Sequence, residues 1–453
     1  MRIIRALPII TAIVLATLNI NAKNLLRIPD AEVATIGIYI EDLKTGEVIA
    51  SQNVNKVMTP ASVTKSITSA AAMLLLDENF QFQTPIYAVG DTTIYDGILN
   101  CNIVINASGD PTIESTHFPK NKVFITQIIN GLKSKGISKI NGDIIINSSK
   151  LNFDNVTSTW MLEDIAWDYG AILNDFNYKN NSFEICLPTA LTEPLLSQRI
   201  PNLVLTNELI IGEENNISLT RSLDSNNLVI SGTIKPTISN YKISCSMPEP
   251  SAVFIADFKS ELHNHGIVIS NNCLSKECDT LLIYSHKSPK RNEILRSLMV
   301  RSDNLFAEAM LQAINPNGGA IDSVISKFEQ IGIDCSKISL YDGSGLSRVD
   351  RLSPLFLADV YRYMYNSDMI SDYIALFPKT GCDGTLKNFL SKSRLKGQLA
   401  LKTGSMDGVQ CYGGYKLNEN GEPTHIVVIM VNNFFCKRKE LRKEIERLLL
   451  QIF

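Results

Sequence analysis

The stretch TPASVTKSIT, residues 59–68, places a serine and a lysine three positions apart, directly after a proline. Proline is favoured at the first position of a helix, and the residues that follow, SVTKSITSAAAMLLL, have helical composition with an apolar face. We therefore predict a helix that begins at Pro60. Ser62 would lie in its first turn, and Lys65 would lie on the same face, within reach of the serine hydroxyl.

This pair suggests an activated serine. A serine hydroxyl is a poor nucleophile at neutral pH unless a base lies beside it. The chain has 5 histidines, none in a nucleophile-elbow context, so a Ser-His-Asp enzyme is disfavoured. A Ser-Lys enzyme needs instead a lysine whose pKa is lowered by burial or by another cation. Lys65 is the candidate base, and Lys402 is the candidate second cation.

The Ser-x-x-Lys string alone is weak, because it recurs at Ser239 and Ser393, and a Lys-Thr-Gly string also occurs early, at Lys44. The order of these strings along the chain and the secondary structure predicted around them distinguish one occurrence from another. Only Ser302, among the Ser-x-Asn strings, lies between two helical runs, and only Lys402 lies on a predicted strand after both other motifs. The ordered set S-x-x-K, S-x-N, K-T-G is a known catalytic signature. Here it reads Ser62-Val-Thr-Lys65, Ser302-Asp-Asn304 and Lys402-Thr-Gly404.

Composition restricts the class of protein. The chain has 453 residues, 45% of them hydrophobic and 20% charged, which is globular but too long for one core, so two or three domains are expected. The net charge of -3 without a sustained basic stripe argues against nucleic acid as a partner. The 9 cysteines show no Cys-x-x-Cys spacing, so no metal site is expected. Whether Cys273 and Cys278 pair is left open.

The N-terminus has the pattern of a secretory signal peptide. Arg2 and Arg5 precede an apolar run over residues 6–20, and small residues stand before Lys23. We predict cleavage after Ala22 and an exported, periplasmic, soluble mature protein. The alternative is a membrane anchor, against which the run is short and contains a proline.

The rest of the chain predicts an α+β fold. Residues 34–53 read as a β-hairpin, and residues 84–285 form a block of short strand-like runs. Helical patterning returns on both sides of Ser302, followed by three strand candidates from residue 398 and a final helix. We expect an antiparallel sheet flanked by helices, interrupted by a large β-rich insertion of one or two domains.

These motifs resemble the penicillin-interacting serine enzymes, in particular the class C low-molecular-mass penicillin-binding proteins. That D-alanyl-D-alanine carboxypeptidase/endopeptidase family includes penicillin-binding protein 4. The interval between Lys65 and Ser302, 302 − 65 = 237 positions, resembles that family, which carries extra domains there. The resemblance is weakest over residues 185–230. Further similar stretches are NASGDPTI from Asn106, NGDIIINSS from Asn141, YGA from Tyr169, MPEP from Met247, YDGSGLSR from Tyr341 and GCDGTL from Gly381.

The resemblance implies a penicillin-binding/β-lactamase-like transpeptidase fold with nested insertions. The catalytic domain would comprise residues 23–84 and 288–453. An inserted domain II would comprise residues 85–150 and 232–287, and a short nested domain III would comprise residues 151–231.

The resemblance also implies the catalytic roles. Ser62 attacks the carbonyl of the penultimate D-Ala of a peptidoglycan stem, and Lys65 takes its proton directly or within a network. Ser302 relays a proton to the leaving amine. Asn304 binds the substrate backbone and holds Lys65. Lys402 adds positive field and lowers the pKa of Lys65.

Further positions are implied to bind the substrate. Thr403 would donate to the terminal carboxylate, and Gly404 would let the substrate strand approach. The backbone N–H groups of Ser62 and Ser405 would form the oxyanion hole, and Met406 would line the pocket. No cofactor is required.

Two charged residues bear on specificity. Asp164 matches the family position whose aspartate reaches a free amine on the substrate's diamino acid, or it is an acid on a helix surface. Arg348 faces the pocket, or it belongs to a structural salt bridge. The implied partners are stem peptides ending in D-Ala-D-Ala, D-Ala crosslinks and β-lactams, with weak association with cell-wall machinery left open. The alternatives are a β-lactamase-like hydrolase, a non-cleaving wall-peptide-binding relative and a generic esterase.

Overall fold

The computed structural model describes residues 25–29, 32–148, 151, 158–189, 192–223, 225–270 and 279–453. The predicted signal peptide and the candidate pair Cys273 and Cys278 lie outside these ranges. Within them, no helix has both the length and the apolar character needed to cross a bilayer.

The strands alternate with turns along most of the chain. In chain order they are β1 (Thr35–Asp42), β2 (Val48–Gln52), β3 (Gln83–Tyr95), β4 (Ile98–Asn106), β5 (Lys139–Asn141), β6 (Ile144–Asn147), β7 (Ser182–Thr189), β8 (Leu195–Leu196), β9 (Val204–Ile211), β10 (Asn216–Arg221), β11 (Asn227–Ile234), β12 (Ser239–Ser246), β13 (Val268–Ser270), β14 (Asp279–Lys287), β15 (Leu399–Met406), β16 (Val409–Leu417) and β17 (Pro423–Asn432).

Most of the described helices lie in the last third of the chain. They are α1 (Thr64–Leu75), α2 (Phe124–Ser134), α3 (Pro250–Asn264), α4 (Arg291–Arg301), α5 (Asn304–Ile314), α6 (Ala320–Gln330), α7 (Pro354–Tyr365), α8 (Ile370–Ala375) and α9 (Arg438–Ile452). Short 3₁₀ turns span Ala61–Val63, Pro119–Asn121, Asp168–Gly170, Lys179–Asn181 and Gly384–Leu386.

The first and last strands of the chain form one antiparallel sheet with the order β15-β16-β17-β1-β2. Side chains of β17 alternate between its faces, as the strand period requires. Ile429 packs with Leu441 and Ile445 of α9, whereas Val428 belongs to the cluster that contains α1, α5 and α7. Helices thus cover both faces of an antiparallel sheet, as the predicted α+β fold requires.

The chain between α1 and α4 forms the insertion. It contains a six-stranded sheet, β13-β5-β4-β3-β14 with β6 beside β4, and two three-stranded sheets, β10-β11-β9 and β12-β7-β8. One buried apolar cluster runs from Ile86 to Ile283 through these sheets. The division of the insertion into domains II and III, with the boundaries given above, stays a prediction.

The insertion also contains two helices, α2 and α3, where the sequence pattern suggested only short strands. Along α2, apolar residues recur with helical spacing at Phe124, Ile128 and Leu132, and all three are buried. Pro250 opens α3 at a position that proline favours. The strand-like runs on either side of α2 and α3 masked the helical spacing of their apolar residues in the sequence.

The Ser-x-x-Lys segment begins with a 3₁₀ turn, which is wound more tightly than the α-helix predicted there. Ala61 has a positive φ of 48°, and residues Ala61–Val63 form a 3₁₀ turn before α1 starts at Thr64. A positive φ is uncommon for a residue other than glycine. The turn places Ser62 half-buried at the surface of the sheet domain, whereas residues Thr64–Met73 of α1 are buried because sheet and helices surround them.

Candidate active site

Lys65 lies at the centre of the site and is fully buried. Its Nζ is 2.9 Å from the Ser62 Oγ, 2.5 Å from the Asn304 Oδ1 and 2.7 Å from the backbone carbonyl oxygen of Ser344. Residues that are 239 and 279 positions away in sequence therefore contact the same amine.

These contacts suit a lysine that acts as a base. A neutral amine has two N–H groups and one lone pair. The Asn304 and Ser344 oxygens can only accept hydrogen bonds, so they occupy both N–H groups and leave the lone pair towards the Ser62 hydroxyl. Burial lowers the pKa of Lys65 to about 8, although Asp342 and Glu308 oppose that shift.

The S-x-N segment makes a sharp turn between α4 and α5. Ser302 ends α4 in the left-handed region, with φ 61°. Asp303 caps α5, and its side chain accepts from the Phe306 N–H at 3.0 Å. Asn304 is the first residue of α5, and its Nδ2 donates to the Tyr169 carbonyl at 2.7 Å. The amide of Asn304 is therefore held at both ends, by Lys65 and by the insertion.

Lys402 lies on β15, at the edge of the sheet, and is also fully buried. Its Nζ donates to the Ser302 Oγ at 2.9 Å and to the Thr403 carbonyl at 2.7 Å. Burial, and then repulsion from Lys65, hold the pKa of Lys402 well below its usual range. The sequence suggested that Lys402 depresses the pKa of Lys65. In the structure burial is the largest cause of the lowered pKa of both lysines, and the repulsion between the two amines disfavours a state in which both are charged.

The strand β15 lies directly against the turn that carries Ser62. A Cβ added to Gly404 would lie 2.4 Å from the Pro60 carbonyl oxygen and 3.0 Å from the Ser62 nitrogen. Only glycine fits this approach. The neighbouring Thr403 hydroxyl hydrogen-bonds to the hydroxyl of Thr385 at 2.8 Å on the exposed side.

A cleft of about 420 Å³ opens beside Ser62. The structure brings the predicted binding residues Asp164, Arg348, Ser405 and Met406 to its wall. Glu163 and Asp407 also line the cleft, so three acidic side chains and Arg348 surround its opening. The structure therefore gathers residues from the insertion, the 341–348 loop and β15 around one serine.

Asp164 enters the cleft from the insertion. Its Oδ1 accepts from the Tyr169 hydroxyl at 3.0 Å. Burial raises the pKa of Asp164, while this hydrogen bond and the charge of Arg348 act in the opposite direction. An aspartate next to an arginine in an open cleft can bind a ligand that carries both an amine and a carboxylate.

Sequence reasoning missed the residues behind Lys65. The Ser344 carbonyl carries no side-chain signal. Glu308 could have been noticed, because it lies four positions after Asn304 and therefore on the same face of α5. Asp342 accepts from the Gly345 N–H at 2.6 Å and also from the Trp160 indole N–H at 2.9 Å.

Comparison with known proteins agrees with this geometry. Residues 18–451 match the D-Ala-D-Ala carboxypeptidase 3 (S13) family. The D-alanyl-D-alanine carboxypeptidase DacB of Haemophilus influenzae is 25% identical over 432 residues, which cover 90% of this chain and 88% of that protein. The crystal structure of penicillin binding protein 4 from the same organism has a TM-score of 0.80 at 23% identity, covering 94% of this chain and 97% of that one.

A second structure of that Haemophilus influenzae protein, in complex with a β-lactam, has a TM-score of 0.76 at 23% identity and covers 95% of this chain and 98% of that one. The resemblance to the class C penicillin-binding proteins is confirmed, as is the prediction of a serine-type D-Ala-D-Ala carboxypeptidase. The family match spans nearly the whole chain. The protein therefore belongs to the D-Ala-D-Ala carboxypeptidase 3 (S13) family.

Proposed function

We propose that this carboxypeptidase works through an acyl-enzyme on Ser62, with Lys65 as the base. The observation that carries the proposal is the environment of the Lys65 amine, which is buried and lies between the Ser62 hydroxyl and two carbonyl oxygens. A base near neutral pH is effective in proton transfer, and a pKa of about 8 makes neutral Lys65 accessible.

In the acylation step, the Ser62 oxygen attacks the carbonyl carbon of the penultimate D-Ala, and its proton passes to Lys65. The negative charge on the carbonyl oxygen is stabilised by the backbone N–H groups of Ser62 and Ser405. Such donors contribute about 2.7–4 kcal/mol each in other enzymes. Collapse of the tetrahedral intermediate forms the ester and breaks the C–N bond.

The leaving amine needs a proton, and Ser302 is placed to supply it. Lys402 donates to the Ser302 oxygen, so the Ser302 hydrogen is free to point towards the departing nitrogen. Ser302 regains a proton from Lys65, which holds the one taken from Ser62, so both groups are restored before the second half of the reaction. Water then attacks the ester carbonyl, Lys65 takes a proton from that water, and the proton returns to the Ser62 oxygen as the acid product leaves. The chemistry uses only protons, water and the peptide, with no cofactor.

We propose that the cleft binds a peptidoglycan stem peptide. Asp164 would bind a free amine on the diamino acid, and Arg348 and Thr403 would bind carboxylates. Met406 would contact the aliphatic part of the side chain. A D-Ala crosslink presents the same C–N bond with a larger leaving group, so DD-endopeptidase activity follows from the same residues.

A β-lactam would acylate Ser62 by the same step. Its ring nitrogen remains attached after the C–N bond breaks, so the leaving group stays in the site and hinders water. The β-lactam complex of the Haemophilus influenzae protein supports this proposal. The N-terminal pattern supports export, with residues 1–22 as the signal peptide and the mature enzyme in the periplasm.

The test is intact-mass analysis after brief exposure to a penicillin. Ring opening loses no atoms, so the wild type should gain the full mass of one penicillin, and Ser62→Ala should gain nothing. Ser239→Ala, in the second Ser-x-x-Lys string, is the matched control and should behave as the wild type. Incubation with a D-Ala-D-Ala pentapeptide and a crosslinked dimer then separates the two peptidase activities. A folded wild type that neither gains mass nor releases D-Ala would refute the proposal.

A further inference from the structure

Among the residues that the structure describes, the oxygens that contact the Lys65 amine belong to a hydroxyl and two amide carbonyls, and none to a carboxylate. The nearby carboxyl groups lie one layer further in, on Glu308, Asp342 and Asp350. Glu308 is 6% exposed and Asp342 is 2% exposed. Carboxyl groups are rarely fully buried unless they are paired.

Two of these carboxyl groups hold the loop that reaches Lys65. Both oxygens of Glu308 accept from the Gly343 N–H at 3.1 Å, and Asp342 accepts from the Gly345 N–H at 2.6 Å. The Ser344 carbonyl, which accepts from Lys65, lies between these two anchors. Its position is therefore fixed from both sides.

The loop also rests directly on α5. A Cβ on Gly343 would lie 2.9 Å from the Ala307 carbonyl oxygen and 2.9 Å from the Leu311 Cβ. The Glu308 carboxyl thus sits at a close contact between helix and loop, and a shift of that carboxyl would move the Ser344 carbonyl.

The same carboxyl titrates in the range where Lys65 does. Burial, and then the charge of Asp342, raise the pKa of Glu308 to about 8. Burial and Asp342 also raise the pKa of Asp350 to about 10, so Asp350 is protonated at neutral pH. Asp303 is a further acid near Lys65, and Lys402 is the second buried cation. Within this set, a proton on Glu308 favours the neutral amine of Lys65, and an anion there favours the ammonium.

We propose that Glu308 is a positioning residue of the Ser62–Lys65 pair. It holds the Ser344 carbonyl against the Lys65 amine through the Gly343 N–H, and its charge biases the protonation of that amine. This inference rests on the proposed role of Lys65 as the base.

The test compares two substitutions of one residue. Glu308→Gln keeps an oxygen that accepts from the Gly343 N–H but removes the titrating group. The rate of penicillin acylation rises with pH as Lys65 loses its proton. In Glu308→Gln the midpoint of this rise should move to lower pH by about one unit, the low end of the effect of a nearby charge. Glu308→Ala also loses the hydrogen bond, so the plateau rate that it reaches at high pH should be at least about tenfold below that of the wild type.

Glu329→Gln is the matched control, because it removes the charge of an exposed glutamate on α6 and should leave the profile unchanged. A folded Glu308→Gln with the wild-type midpoint would overturn the role of its charge. A folded Glu308→Ala with the wild-type plateau rate would overturn the role of its hydrogen bond. A wild type that never acylates contradicts the proposed function instead. In that case ¹³C NMR of the Lys65 Cε still tests Glu308, by comparing the pKa of Lys65 in wild type and Glu308→Gln.

Discussion

Gly404 on β15 lies in close backbone contact with the turn that carries Ser62. In Gly404→Ala, the new Cβ would lie 2.4 Å from the Pro60 carbonyl oxygen, whereas ordinary van der Waals contact begins at 3.4 Å. The two segments would have to separate by about 1 Å, the difference 3.4 − 2.4 Å. Neither partner can yield by rotating a side chain, because the contact is with backbone.

This separation should impair catalysis more than folding. The oxyanion hole is proposed to comprise the N–H groups of Ser62 and Ser405, which lie on the two segments that would part. A misplacement of about 1 Å can cost about 10²-fold in rate, and overpacking typically costs about 1–3 kcal/mol of stability. We expect the second-order rate of acylation by a chromogenic penicillin to fall about 10²-fold, with a modest loss in urea stability.

Gly212→Ala provides the matched crowding control. Its Cβ would lie 2.8 Å from the Thr233 Cβ, in the insertion and away from the cleft. It should cost stability but leave the acylation rate unchanged. If folded Gly404→Ala acylated as fast as the wild type, the contact between β15 and the Ser62 turn would not control the alignment of the oxyanion hole.

Other consequences can be measured. Acylation should rise as the pH passes about 8, because Lys65 must lose its proton to act as the base, and stopped-flow rates across pH would show a flat profile if it were not. Asp164→Asn should lower kcat/KM about tenfold for peptides with a free side-chain amine and leave their N-acetylated forms unchanged. Arg362→Ala should cost about 2 kcal/mol in urea denaturation, because it strips two hydrogen bonds from the buried Glu41. Lys242→Ala, at an exposed ion pair, should cost less.

Much of the fold could be predicted because its signals are local. The Lys-Thr-Gly turn between β1 and β2, the helical runs beside Ser302 and the strand of Lys402 all follow from short-range periodicity and turn residues. Order along the chain then selected the Ser-x-x-Lys string whose lysine contacts Asn304 of the second motif. Ser239, which begins another such string, opens the strand β12 rather than a helix.

What could not be predicted depends on contacts between distant residues through groups that carry no side-chain signal. The Ser344 carbonyl is a backbone atom, and any residue provides one. Its importance arises only because the fold places it 2.7 Å from Lys65, 279 positions away. Likewise, the pattern of α5 marks Glu308 as a polar residue on a helix, but only the packed loop above it shows that the carboxyl is buried. Burial also lowers the pKa of Lys65, and a sequence indicates only which residues tend to be buried.

The insertion participates in the site rather than merely interrupting the catalytic domain. Its residues contact Asp303 and Asn304 of the second motif, and Asp342 in the loop that holds Lys65. In each case the partner is a buried or half-buried polar side chain, whose hydrogen bonds are costly to lose. The inserted chain therefore helps to position the second motif and the loop that holds Lys65. The contacts are His117 Nδ1 to Asp303 Oδ2 at 3.4 Å, Asn304 Nδ2 to the Tyr169 carbonyl at 2.7 Å, and Trp160 Nε1 to Asp342 Oδ2 at 2.9 Å.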